Sequence, residues 1–156
     1  MDRHFMDMAL DQAAAAAAMG EVPVGAVVVR DGEVLSMAHN RREIDGCPTA
    51  HAELLAIQQA AAHIGDWRLE RCQIYVTLEP CAMCAGLMVN SRISRCVFGT
   101  PDPRGGFLGT LGDLSHHAML NHHFEVVSGV GADEAAALLQ GFFRAIRARK
   151  RVSKPR

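Results

Sequence analysis

Gln73-Ile74-Tyr75-Val76-Thr77-Leu78-Glu79-Pro80-Cys81-Ala82-Met83-Cys84-Ala85-Gly86 changes its periodicity halfway along. Gln73 to Leu78 is apolar and rich in β-branched and aromatic residues, the pattern of a buried strand. Pro80 suits the first turn of a helix, which should run from about Cys81 to Asn90. A buried strand feeding straight into a helix is the unit of an α/β domain. On the carboxyl side, Arg95 to Phe98 reads as a short strand ended by Gly99. On the amino side, Ala50 to His63 carries Leu54, Leu55, Ile57 and Ala61 at helical spacing, with Thr49 placed to cap it and Gly65 to stop it.

Further upstream, Val22 to Val29 and Val34 to Ala38 flank Arg30-Asp31-Gly32-Glu33, and Asp-Gly between apolar runs signals an antiparallel hairpin. Asp2 to Met19 is an alanine-rich helix ended by Gly20. Downstream, a glycine-rich loop (Pro101 to Gly112) precedes a weaker helical stretch at Asp113 to Leu120. A fifth strand at Phe124 to Val127 and a last helix from Asp133 to about Lys150 complete the chain. The expected architecture is one three-layer α/β/α domain: a five-stranded mixed sheet, opened by the hairpin, with helices on both faces. Its core would span about 2–128, followed by the helix at 133–150 and a basic tail at 151–156.

With 156 residues, 49% of them hydrophobic and 21% charged, the chain suits one globular domain and excludes a long disordered one. The formal charge of −1 hides an asymmetry. Seven cations and no acid lie between Arg144 and Arg156, leaving nine cations against seventeen acids in the rest. Five cysteines, an odd number, without a cleavable apolar leader, fit a reducing, cytoplasmic setting rather than a disulfide framework. No apolar run reaches the roughly eighteen residues a membrane span needs.

Cys81 and Cys84 sit at i and i+3 on one side of a helix start, where the positive end of the helix favours thiolate. Alone, the pair suits a thioredoxin-like redox centre, half of a metal site or core packing equally well. His51-Ala52-Glu53 opens the preceding helix on the same rim of the sheet. Residues two apart point in opposite directions within a helix, but at its end a His can point off the terminus while a longer Glu folds back toward it. One His and two Cys make three ligands, the number expected of a catalytic zinc whose fourth position is left to water. Such a zinc brings the pKa of its water to about 7, and Glu53 is placed to take that proton and pass it on.

His-x-Glu followed by Pro-Cys-x-x-Cys resembles the signature of zinc nucleobase deaminases. The wider text is similar to one family of them. Glu21-Val22-Pro23-Val24-Gly25-Ala26, Pro48-Thr49-Ala50-His51-Ala52-Glu53, Thr77 through Gly86, Phe98-Gly99 with Asp102, Asn121-His122 and Phe142-Phe143-Arg144 occur in that order and resemble the bacterial tRNA-specific adenosine deaminases from about Glu21 to Arg147.

This resemblance implies a cytidine-deaminase-like fold and a homodimer that converts the wobble adenosine of an arginine tRNA anticodon to inosine, releasing ammonia. It assigns zinc to His51, Cys81 and Cys84, proton transfer to Glu53, and a hydrogen bond to the base to Asn40. Asp102 would meet the nucleotide backbone. For the anticodon stem-loop, Phe142, Phe143, Arg144 and Arg147 offer rings for splayed bases and cations for phosphates. Three positions depart from the family pattern: Cys47 stands where Asp is usual, Arg104 where Lys is usual, and Ile146 interrupts the basic run. Cys72 and Cys96 should pack as small apolar residues. Two rival readings are a deaminase of a free base or nucleotide (guanine, cytosine or deoxycytidylate) and a non-catalytic zinc or thiol module.

Overall fold

Asp31 and Gly32 both take positive φ, 52° and 79°, in the computed structural model, which describes residues 1–153. They form the two-residue hairpin turn whose twist matches its strands, β1 (Gly25–Arg30) and β2 (Glu33–His39). The first strand begins three residues later than its apolar text suggests. Pro23 has no N–H for a ladder, and the Val24 N–H instead donates to the Val22 carbonyl at 2.9 Å in a tight turn.

Before the hairpin lies α1 (Asp2–Ala18). Gly20, at φ 80°, ends it as expected, with Glu21 N–H donating to Ala16 O and Gly20 N–H to Ala17 O. Its alanines let it lie directly on β1. A Cβ at Gly25 would come within 2.0 Å of the Ala9 carbonyl, so only glycine fits there.

After the hairpin come α2 (Ala52–Ile64), β3 (Cys72–Leu78), α3 (Ala82–Asn90), β4 (Arg95–Thr100), β5 (Glu125–Ser128) and α4 (Ala132–Ser153). The sheet order is β2-β1-β3-β4-β5. β1 runs antiparallel to both β2 and β3, whereas β3, β4 and β5 are mutually parallel. The expected mixed sheet and three layers are therefore present. Side chains sort by the strand period of two. Val28, Ile74, Val76, Cys96 and Phe98 pack with Ala56, Ile57, Ala85 and Met88 beneath α2 and α3. Val27, Val29, Tyr75 and Val97 meet Phe5, Met6 and Ala9 of α1 on the other face, which α4 also covers. Each large side chain fully buried in this way contributes ~1.5–3 kcal/mol. Cys72 and Cys96 are indeed core residues, fully buried.

Two expectations differ from the structure. Asp113 to Leu120 is turns rather than helix. Asp113 Oδ1 accepts the Ser115 N–H at 2.9 Å and also the Ser115 hydroxyl, a local alternative to helical bonding. The last helix does not stop near Lys150 but runs to Ser153, taking in the start of the presumed tail. Arg and Lys are good helix formers, and cations suit a helix's carboxyl end. The remainder of that tail, 154–156, lies outside the described residues.

The Arg95 guanidinium grips Asp2 at 2.8 and 2.7 Å, tying the start of α1 to β4. That hydrogen bonding holds the Asp2 carboxyl down at about 2, from an ordinary 3.8. A depressed carboxyl stabilises the fold above its unfolded value, and the contribution disappears as pH falls from about 4 toward 2. Asp2→Asn should therefore cost about 1 kcal/mol at pH 7, allowing for solvent screening, and almost nothing at pH 2. Urea unfolding midpoints at the two pH values check this.

Candidate active site

β2 and β3 run the same way, so the helices that follow them start on one rim of the sheet. At that rim His51 is the N-cap of α2 and Cys81 the N-cap of α3, both with extended backbone (φ −78°, ψ 151° and φ −75°, ψ 176°). Thr49 does not cap α2. Its hydroxyl lies 3.2 Å from Cys47 Sγ, and the cap position falls to His51, whose side chain makes no capping hydrogen bond. The ring turns instead to the thiols. Cys81 Sγ and Cys84 Sγ are each 3.6 Å from His51 Nδ1, and the donor atoms of the three residues lie within 4.8 Å of one another.

The three side chains shift one another's protonation. A hydrogen bond from Cys84 holds Cys81 down at about 4, and by donating it the Cys84 thiol is pushed well up. The hydrogen bond with Cys81 also raises His51. Metals bind thiolate, so a dication held here would take both sulfurs in the deprotonated form. The donor set, one imidazole and two thiols, suits zinc. Glu53, in the first turn of α2, is only 4% exposed, and burial pushes its carboxyl up to about 7.

These groups open onto a cavity of about 170 Å³ lined by Val22, Val24, Ala52 and Leu78 as its apolar walls, with Asn40, Arg42, His51, Glu53, Glu79, Cys81 and Asp102 supplying polar groups. It is smaller than the ~300–1,000 Å³ typical of drug-sized ligands. The scale suits one planar ring.

Asn40 is 8% exposed, and its amide ties two rim segments together. Nδ2 donates to the Val22 carbonyl at 3.2 Å, while Oδ1 accepts the Arg42 N–H at 3.1 Å. One N–H and one lone pair of the amide remain. Asp102 follows β4, which is parallel to β3, at this same edge of the sheet, and its Oδ1 accepts the Arg104 N–H at 3.0 Å. Phe142, Phe143, Arg144 and Arg147 are not brought to the cavity. They lie on the outer half of α4, with both Arg exposed, Phe143 43% exposed, and the two rings edge to face at 5.4 Å. Cys47 is likewise absent from the lining.

Three residues with a part in the site are given no role by the sequence reading. Arg42 lines the mouth of the cavity. Glu21 is fully buried and accepts the N–H groups of Glu43 (3.3 Å) and Ile44 (2.9 Å), anchoring the loop that carries Arg42. Glu79, 2% exposed, does the same for the loop after β4. The available signal was an acid placed beside an apolar run and a proline in both Glu21-Val22-Pro23 and Leu78-Glu79-Pro80.

Fold and site together define a deaminase, a hydrolase: residues 1–147 match the family model of the MafB19-like deaminases. The chain is 47% identical over 153 residues to the tRNA-specific adenosine deaminase of Bacillus subtilis (strain 168), covering 98% of this chain and 95% of the relative. A solved structure from work on A-to-I editing by tRNA:A34 deaminases superposes with a TM-score of 0.84 at 40% identity, covering 87% of this chain and 99% of the other. The guanine deaminase of Bacillus subtilis is more distant, with a TM-score of 0.61, 32% identity and 63% of each chain covered. The chain belongs to the family of tRNA-specific adenosine deaminases.

Purified protein should carry one divalent ion per chain by elemental analysis. His51→Ala or Cys81→Ala should lose it, whereas Cys47→Ala, outside the cavity, should keep it.

Proposed function

We propose that this protein hydrolyses adenosine to inosine at the wobble position of a tRNA anticodon, that of an arginine tRNA by family resemblance, and releases ammonia. The observation that carries the proposal is the buried Glu53 beside a His51, Cys81, Cys84 donor set, in a cavity of about 170 Å³. Identity to a tRNA-specific adenosine deaminase along 98% of the chain supports the substrate. His51, Cys81 and Cys84 would hold zinc, which when bound supplies Lewis acidity that brings the pKa of a water toward neutrality.

The chain's own residues account for the proton movements. Attack by water on the amine-bearing carbon requires a proton to leave the water and another to reach the adjacent ring nitrogen. A carboxyl pushed up to about 7 by burial can do both near neutral pH, first accepting and then donating. Emptied by that donation, the same carboxylate takes the remaining hydroxyl proton as the carbonyl forms and hands it to the amine, which departs as ammonia. Val22, Val24, Ala52 and Leu78 exclude water from the faces of the base. Asn40, with one donor and one acceptor position unspent, can meet the base edge, and Asp102 and Arg42 flank the mouth where the nucleotide chain would pass.

A base inside a folded anticodon loop must be flipped out to enter such a cavity. The exposed Arg144 and Arg147, with Phe142 and Phe143 beside them on α4, would hold the flanking loop through phosphates and stacking. We further infer one deaminase domain acting as a cytoplasmic homodimer. The half-exposed Met83, Gly86 and Leu87, on one side of α3, support an apolar face for a second copy. Among the described residues no helix is long and apolar enough to cross a membrane.

The likeness to a guanine deaminase motivates the alternative of a free-base substrate. Offering an anticodon stem-loop and free guanine side by side decides between them. Inosine should appear in the RNA, read by sequencing, and ammonia from guanine without inosine would reverse the assignment. Glu53→Gln should lower turnover roughly a hundred- to ten-thousandfold while metal content stays at the wild-type level.

RNA affinity should fall steeply with salt. Arg144→Ala or Arg147→Ala should each lower the log–log slope by roughly 0.7–0.9 and raise KM more than they lower kcat. An unchanged slope in both variants would place the RNA surface elsewhere.

A further inference from the structure

Glu79 follows β3 directly and precedes Pro80, two residues before the thiol of Cys81. Its carboxylate is used entirely by one segment, the loop 101–112. Oε1 accepts the Asp102 N–H at 3.1 Å and the Thr110 hydroxyl, and Oε2 accepts the Leu108 N–H at 3.0 Å and the Thr110 N–H at 3.1 Å. Among the described residues no cation pairs with it; backbone and hydroxyl donors carry the compensation. The segment closes so tightly that a Cβ on Gly106 would stand 2.3 Å from the carboxyl carbon, so glycine is required there by contact rather than by φ.

The loop held in this way is the one that brings Asp102 to the rim of the cavity, and Glu79 itself forms part of the wall. The grip begins at the Asp102 amide. Glutamine at position 79 would keep one acceptor oxygen but turn an NH₂ toward N–H groups that need an acceptor. Hydrogen bonds to a charged acceptor are about twice as strong as neutral ones, so losing them frees the loop without emptying the core.

We propose that Glu79 is a positioning residue for the substrate: by gathering the loop 101–112 it fixes Asp102 at the rim and thereby sets how well the polynucleotide is held, not how fast the base reacts. This rests on Asp102 meeting the nucleotide backbone, as inferred above. A latch that only stabilised the fold would change stability and leave the relation between the two residues additive.

The test is a double-mutant cycle on the metal-loaded enzyme with an anticodon stem-loop as substrate. Glu79→Gln and Asp102→Ala should each raise KM about tenfold with kcat within about threefold, and the double variant should be no worse than the poorer single. Thr110→Val, which removes only the hydroxyl donor, should shift KM in the same direction by less. Independently of RNA, hydrogen exchange at the Asp102, Leu108 and Thr110 amides should accelerate in Glu79→Gln while the α2 and α3 amides keep their protection. Additive effects in the cycle, a fall in kcat at constant KM, loss of metal in Glu79→Gln, or unchanged exchange at those amides would each overturn the proposal, Thr110→Val serving the cycle should Glu79→Gln not fold. Wild-type protein that makes no inosine in the stem-loop would instead bring down the functional reading on which this one stands.

Discussion

Everything at the site depends on two helices beginning side by side. β2 and β3 are both antiparallel to β1, hence parallel to each other, and each hands the chain to a helix at the same edge of the sheet. A helix start leaves unpaired N–H groups and a partial positive charge, which favours thiolate and carboxylate there. The extended N-cap residues, His51 and Cys81, are the last positions before the helical repeat takes over, so their side chains are free to point along the rim toward each other. Neither caps its own helix by a side-chain hydrogen bond. A Ser, Thr, Asp or Asn at either position would be worth about 0.5–2 kcal/mol of helix stability. That loss of local stability marks a position chosen for chemistry.

Three acids are buried, Glu53 and Glu79 in the cavity wall and Glu21 next in sequence to Val22, which lines it, and their surroundings differ. Glu21 and Glu79 each take backbone N–H groups from a rim loop, so their oxygens are committed to shaping the entrance. Glu53 receives no such set of loop amides, and burial pushes it up to about 7. A carboxyl in that range is the one able to gain and lose a proton during turnover. Removal from water is the largest cause of that shift.

Most of the fold was legible because its signals were local. Asp31-Gly32 specified a hairpin, Gly20 and Gly65 ended helices, and the strand period of two separated the face under α2 and α3 from the face under α1 and α4. The trio of His51, Cys81 and Cys84 was legible for the same reason: each pair of residues lies within a few positions of a helix start. The errors arose where one hydrogen bond decides between states of similar propensity. Asp113 spends its side chain on Ser115 and breaks a helix that composition allowed, and Pro23 shortens β1. Glu79 stands in the quoted motif, but its role was not legible because its partners are 23 to 31 residues away and are mainly backbone groups, which leave no mark in residue identity.

The placement of α4 bears on the size of the substrate. At 1.5 Å per residue, its 22 residues span roughly 33 Å. Only the amino-terminal part is seated, with Ala135 buried and its Cβ 3.3 Å from where a Cβ on Gly99 would stand. The outer half carries Phe143, Arg144 and Arg147 in the open and contributes nothing to the cavity wall. A free base in the cavity would leave that half untouched. A ligand that engaged both Glu53 and these side chains would have to reach outside the cavity while projecting a single base into it. A single-stranded loop with an unstacked base meets both conditions, whereas a regular double helix, with its bases stacked inside, meets only the first.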